Sequence, residues 1–294
     1  MSLPAFRIVN PGLGASVQDK GRRGWRRFGV PRSGVLDAHA AEAANLLLNN
    51  PANAPVVEFL WGGAEIEVLS DIWLAVTGAG LKGAEMWRTH YATVGETLRF
   101  SAGQAGVWSY LGVEGGVSAP MILGSVSSYP RGGIGAALKR GDVLFRCQRV
   151  GSHFPEHVVG RFLSSSAIPD YSTPPAVRVW PAPQWQHFEP AVRQAFFAQN
   201  WEVSSQSDRV GYRLLGSPLR VPSIEMISEP VRVGSVQVPP NGLPIITMPD
   251  GPTVGGYLKL GLVDEADLRW VAQTRPGGKL RFRLVEQEQG TAWT

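Results

Sequence analysis

Carboxylates, arginines and amides sit beside glycine in four stretches of this chain. The first reads Gln18-Asp19-x-Gly21-Arg22, then Gly29-Val30-Pro31-x-Ser33-Gly34-x-x-Asp37, and closes with Asn45. The second is Ser207-Asp208-Arg209-x-Gly211-x-Arg213, and the third is Gln237-Val238-Pro239-Pro240-x-Gly242-x-Pro244. The fourth is Asp250-x-x-Thr253-x-Gly255-Gly256-Tyr257-x-Lys259. Turn geometry at glycine and proline fixes where a neighbouring polar group points. Loops held on rigid strands are where enzymes place reacting groups. Taken singly, each residue is accounted for by Asp pairing with Arg, or by Ser, Thr and Asn capping a turn. Taken together, they point to a shared polar site. Its arginines offer a planar donor fork that fits a carboxylate or phosphate in two-pronged fashion.

One arginine-bearing pattern occurs twice. Gly24-Trp25-Arg26-x-x-Gly29-x-Pro31 returns, without a gap, as Gly211-Tyr212-Arg213-x-x-Gly216-x-Pro218, and Arg22 falls on Arg209 in the same register. Such a match suggests two related halves whose arginine segments occupy equivalent places. The competing account is two turn corners of similar composition. The spacing is far beyond the short periods of solenoid repeats, so the expectation is a duplicated domain.

The elements that would carry these residues are mostly strands. The 294 residues include 35 glycines and 23 prolines, both above their usual shares of about 7% and 5%, and 44% hydrophobic residues can fill a core. Short β-type runs are expected at 6–9, 56–60, 65–69, 72–77, 97–100, 106–113 and 142–145. In the second half they are expected at 177–180, 201–203, 224–227, 231–238, 245–248 and 280–285. Helices are expected at 37–48, with Asp37 at its start and Asn49-Asn50-Pro51 at its end, and at 190–199 and 264–273. The serine- and proline-bearing stretch 151–176 reads as a linker. The domains are thus an N-terminal half, 1–150, and a C-terminal half, 177–294. These runs predict a mainly β class with a few short helices, arranged as barrels or sandwiches.

Composition excludes several functions. The formal charge is +4 and the single dense basic cluster is Arg22 to Arg27, too local for a nucleic-acid face. A single cysteine, Cys147, forbids an internal disulfide and fits a reducing compartment. The start lacks a signal-peptide pattern and no apolar run is long enough to span a bilayer, so a cytoplasmic place is expected. No Walker-type phosphate loop, dinucleotide fingerprint or Gly-x-Ser-x-Gly elbow is present. His153 and His157 have a metal-compatible spacing, but Pro155 lies between them, and no metal centre is expected. Ten tryptophans, among them Trp61, Trp73, Trp87 and Trp108, suit a core, with some left for an interface.

The chain resembles the family of the 5-oxoprolinase C subunit, also called KipA or allophanate hydrolase subunit 2, which is biotin-dependent carboxyltransferase-like. The resemblance runs in order through Val17 to Arg22, Gly29 to Asp37, Ala44 to Leu47, Ala75 to Ala79 and Leu123 to Ser125. It continues through Ser207 to Leu214, Gly234 to Pro239, Gly255 to Tyr257 and Gln273 to Gly277. It implies two cyclophilin-like β-barrel halves. It also implies ATP-dependent opening of 5-oxoproline to glutamate, a hydrolase activity on a cyclic amide. That activity would belong to a hetero-oligomer with a KipI-like B subunit plus an A subunit. ATP would act through the complex. In related carboxylases the module transfers a carboxyl group to urea or a small amide from carboxybiotin, and biotin would have to come from a partner here. A third reading is a regulatory protein that binds a KipI-like inhibitor of a histidine kinase.

For a substrate with a carboxylate and a lactam, Arg22, Arg209 or Arg213 would clamp the carboxylate. Asp19, Asp208 or Asp250 would move protons, and Lys259 would stabilise charge on the lactam or phosphoryl oxygen. Gln18, Ser33, Gln237 and Tyr257 complete the expected substrate contacts. The chain departs from the family pattern at Val126, where an arginine is usual, and at Ala182, Val254 and Leu258.

Overall fold

The computed structural model describes residues 2–147, 158–224 and 226–285. Strands dominate, and the α-helices among these residues are three short ones, Ala38–Leu47, Pro190–Ala198 and Leu268–Gln273. The chain forms two compact units. The first comprises Met1–Thr173 and Ala272–Arg275; the second comprises Pro174–Val271 and Pro276–Thr294. No helix among the described residues is long and apolar enough to cross a membrane.

The first unit has two five-stranded sheets. One runs in the order Val117–Ser118, Val143–Cys147, Ser2–Pro11, Ala64–Val68, Thr97–Arg99. The other runs Ala15–Gln18, Val56–Leu60, Trp108–Val113, Ile72–Gly78, Thr89–Ala92. Ala64–Val68 alternates buried Ala64, Ile66 and Val68 with partly exposed Glu65 and Glu67, the signature of a strand with one wet face. Those apolar residues join Phe6, Ile8, Val57, Phe59, Ile72 and Leu111 in one core. Ile72–Gly78 is instead buried at every position. Its second face is covered, because Trp73 and Ala75 pack with Ala44, Leu47 and Leu48 of the first helix. That helix starts where Asp37 accepts a hydrogen bond from the Ala40 amide at 3.0 Å, an N-cap.

The second unit is built on an eight-stranded sheet. Its order is Lys279–Leu280, Trp201–Val203, Gly211–Leu215, Ile245–Thr247, Ser235–Val238, Leu258–Val263, Val177–Pro181, Phe282–Leu284. Neighbours are antiparallel except the last pair, which is parallel. The helix Pro190–Ala198 buries Val192 and Phe196. Phe196 stacks on Phe282 at 4.9 Å, and its carbonyl accepts the Trp201 indole N–H at 2.9 Å. A small ribbon of Glu229–Pro230 with Val254–Gly255 stands apart from the sheet.

The mainly β, barrel-like class holds, and several local expectations change. Ala15–Gln18, Thr89–Ala92, Gly211–Leu215 and Leu258–Val263 are strands that the pattern did not mark. Glycine or short polar runs break their alternation, and pairing with neighbouring strands overrides the weak local signal. Of 231–238 only Ser235–Val238 is a strand, and Ile224 and Ile227 lie outside any. The repeated arginine pattern does not mark equivalent places. Arg26–Phe28 is a 3-10 turn closed by Gly29 at φ 81°, whereas Gly211–Leu215 is a sheet strand. Of the expected linker, 151–157 lie outside the described residues, together with His153 and His157. Residues from Val158 to Thr173 belong to the first unit, and Val158 sits in its core. Trp73, Trp87 and Trp108 are buried, as expected of core aromatics.

Candidate functional site

In the first unit the conspicuous polar group is Asp19. It follows the strand Ala15–Gln18, and its carboxylate accepts from the Gly21 amide at 2.8 Å and the Val126 amide at 3.0 Å. The hydroxyls of Ser125 and Ser127 donate to it at 2.5 and 2.6 Å. Ser127 Oγ accepts in turn from the Asp19 amide at 3.0 Å. Four donors on one carboxylate hold a loop to a strand end and leave little capacity for a travelling proton. Arg22 is fully buried and donates to the Ser127 carbonyl. The tight approach explains Gly21, whose φ is +78°: a Cβ there would come within 2.5 Å of the carbonyl oxygens of Arg32 and Ser33.

Ser33 and Gln18 differ from this saturated knot. Ser33 is buried at a left-handed φ of 54°, and its hydroxyl has no hydrogen-bond partner among the described residues. A serine held there lies in a sparsely used region of backbone space. Gln18 donates to Ser16 Oγ at 2.9 Å and to the Ser128 carbonyl at 3.2 Å, while its buried Oε1 has no partner among the described residues.

The second unit gathers its polar residues on one sheet face. Arg213 is directly opposite Ile245, Ile245 is opposite Gln237, and Gln237 is opposite Lys259. Directly paired residues of antiparallel strands point to the same side, so Arg213, Ile245, Gln237 and Lys259 form a row across four strands. A bulge makes the last step possible. Val236 pairs with Gly261 but Gln237 pairs with Lys259, so one residue of the longer strand is skipped. Bulges re-aim side chains in this way beside active sites. Gln237 donates to Thr247 Oγ1 at 2.8 Å. Buried Lys259 donates to the Pro230 carbonyl at 3.2 Å and is ion-paired with Glu229. Glu229 also accepts from Gln184 at 2.6 Å. The ammonium has three donors, and these partners occupy two of them. Gly255 lies against Gln237, where a Cβ would be 3.1 Å from its Oε1.

Other expected site residues take different parts. Arg209 donates to Asp250 from Nε at 2.8 Å and from Nη2 at 3.3 Å, a two-pronged pair with Asp250 buried. That fork is committed to a protein carboxylate. Asp208 accepts from the amides of Val210 at 2.9 Å and Gly211 at 3.2 Å, bracing its own turn. The Arg213 side chain is exposed and makes no hydrogen bond or ion pair among the described residues. Tyr257 is exposed beside the ribbon. Residue types alone did not single out Glu229, Thr247, Ser125 or Ser127. Glu229 lies 30 residues from Lys259 in the chain, and nothing in local spacing joins them. Among the described residues no group of three or more His, Cys, Asp or Glu side chains is placed to hold a metal ion.

A mainly β chain that carries glycine-cornered polar residues on both its units is, by its family match and its likeness to solved structures, a protein of the carboxyltransferase class. More particularly, the chain belongs to the family described as carboxyltransferase domain, subdomain A and B, whose model matches residues 28–284. It is 36% identical to the 5-oxoprolinase C subunit of Escherichia coli (strain K12) over 296 residues, covering 97% of this chain and 92% of that protein. It superposes on the crystal structure of TTHA0988 with a TM-score of 0.82 and 38% identity, covering 96% of this chain and 56% of the other. On Kluyveromyces lactis urea carboxylase the TM-score is 0.86 at 28% identity, covering 96% of this chain and 27% of the other. The chain thus spans about half of TTHA0988 and about a quarter of the carboxylase, but nearly all of the Escherichia coli protein.

Proposed function

We propose that this chain is the C subunit of an ATP-dependent 5-oxoprolinase, which opens 5-oxoproline to glutamate together with a KipI-like B subunit plus an A subunit. The observation that carries the reading is the near end-to-end match to a 5-oxoprolinase C subunit. The sheet row fits the substrate. 5-Oxoproline carries a carboxylate at one end and a lactam carbonyl at the other. Arg213, exposed and without a partner among the described residues, binds the carboxylate with its two-pronged fork. Lys259, held by Glu229 and Pro230, directs its remaining donor at the oxygen on which charge develops. Gln237 lies between them and orients the ring. Three strand spacings of about 4.8 Å separate the backbones that carry the two cations along the row. Arg22, Asp19, Arg209 and Asp250 act by holding loops, Asp208 by bracing its turn, and exposed Tyr257 by contacting substrate or partner. ATP supplies the driving force when bound in the assembled complex.

The test is co-expression with the KipI-like and A-like proteins and an assay of 5-oxoproline-dependent glutamate release. The three proteins are expected to co-elute on size exclusion and to release glutamate only together and with ATP. A second reading has support in the likeness to urea carboxylase: carboxyl transfer to a small amide from carboxybiotin carried by a partner. A stable complex that releases no glutamate, but carboxylates an amide when given a biotinylated carrier, would replace the first reading with this one.

A further inference from the structure

The first unit contains a cavity of about 650 Å³ that the row of Arg213, Gln237 and Lys259 does not use. Lys20, Gly21, Arg23, Trp25, Asn53 and Gly124 line it, with Ala52 and Leu123, and none of the lining residues is acidic. Lys20 is ion-paired at 2.9 Å with Glu42, which is not among the lining residues. Arg23 is exposed and makes no hydrogen bond or ion pair among the described residues. The Asn53 amide is likewise exposed and makes none among them. Trp25 is half-buried; its ring rests against Phe28 at 5.7 Å, which props the indole. A Cβ built on Gly124, at φ +78°, meets nothing within 4 Å, so this wall is open space bounded by bare backbone.

These groups suit one kind of ligand. A guanidinium without a partner among the described residues, beside a lysine and with no lining carboxylate, attracts an anion. An indole in the same lining offers a stacking face for a flat ring, and arginine with indole is the pairing that binds nucleotide bases and phosphates elsewhere. An asparagine amide offers both a donor and an acceptor to a base edge. The volume lies in the range of small-molecule sites. We propose that this cavity binds a nucleoside phosphate, with its base against Trp25 and its phosphates against Arg23 and Lys20. The inference does not depend on the identity of the reaction at the sheet row.

Isothermal titration of the purified full chain tests it, with adenosine diphosphate as the probe and adenosine, pyrophosphate and 5-oxoproline as comparisons. Adenosine diphosphate is expected to bind in the micromolar range. Adenosine and pyrophosphate are each expected to bind at least about ten-fold more weakly, because each loses either the phosphate contacts or the stacking. Arg23→Ala and Asn53→Ala alter exposed residues without side-chain partners among the described residues, so both should fold and melt like the parent. Arg23→Ala and Trp25→Ala should each weaken binding at least about ten-fold, and Asn53→Ala by less. Arg213→Ala should change nothing. Absence of binding at millimolar nucleotide overturns the proposal. So does undiminished binding by Arg23→Ala. Pyrophosphate or 5-oxoproline binding as tightly as adenosine diphosphate would also overturn it, because the cavity would then recognise an anion alone.

Discussion

Two arginines only four residues apart have opposite situations. Arg209 spends its fork on buried Asp250, and Arg213 spends its own on nothing among the described residues. The expectation that both clamp a substrate carboxylate therefore divides. Arg209→Ala strands a buried carboxylate and should cost about 3 kcal/mol of stability, read as a lower urea midpoint. Arg213→Ala should leave that midpoint unchanged and lower kcat/KM for glutamate release by about 100-fold, with Arg213→Lys recovering only part because lysine lacks the fork. Equal melting of the two alanine variants would refute the division. Lys259→Met keeps the length of the side chain and removes its charge. It should reduce kcat by about 100-fold or more while substrate affinity changes little, as for the loss of an oxyanion donor. A variant whose KM rises with kcat intact would place Lys259 in binding instead.

At the level of elements, the segment Ala272–Arg275 is a clasp of the first unit. Gln273 is buried with its amide fully used. Its oxygen accepts from the amides of Val107 at 2.8 Å and Trp108 at 2.9 Å, and its nitrogen donates to Asp37 and to the Trp108 carbonyl, both at 2.9 Å. Arg275 donates to the carbonyls of Gly106 and Gly103 at 2.8 Å and faces the Trp61 ring. Asp37 also accepts from the Tyr171 hydroxyl at 2.6 Å, while its amide donates to the Tyr110 hydroxyl at 2.7 Å. Burial, then the charges of Glu58 and Asp37, push the Tyr110 phenol well above its ordinary range, so it stays a neutral donor. Gln273→Ala should cost about 3 kcal/mol by stranding buried groups, and should speed hydrogen exchange at the Val107 and Trp108 amides. Unchanged protection of those two amides would show that the clasp is idle. Sequence made the N-cap at Asp37 and the helix after it legible, because both are local. It also marked a β-type run at 65–69, where the strand Ala64–Val68 lies. It could not join Gln273 to Asp37, 236 residues away, or show that a bulge brings Lys259 opposite Gln237. Ser33 was legible as a polar residue beside glycine, but not as one held buried at positive φ.

Over the whole molecule, stability should depend on pH through the second unit in a direction that one ion pair sets. Arg178 donates from its amide, Nε and Nη2 to Asp267 at 2.8, 2.9 and 2.9 Å, and from Nη2 to Asp264 at 3.1 Å. Burial pushes the Asp267 carboxyl up, but the hydrogen bonds and charge of Arg178, aided by Arg269, outweigh it, and the group is held below its ordinary range. A carboxyl depressed in the folded chain binds its proton less readily there than in the unfolded chain. Its contribution is therefore complete above the unfolded value, about 3.9, and disappears as pH falls through the lower folded value. Asp267→Asn removes the charge and should lower stability at pH 7 by about 1–3 kcal/mol, the range for hydrogen bonds to charged groups. The gap between parent and variant should stay constant from pH 7 to about 5, then shrink below about 4 as the parent protonates. Denaturant unfolding followed across that range measures it. A gap that widened as pH fell would mean that the carboxyl is protonated more readily in the folded chain, and that Arg178 does not govern it.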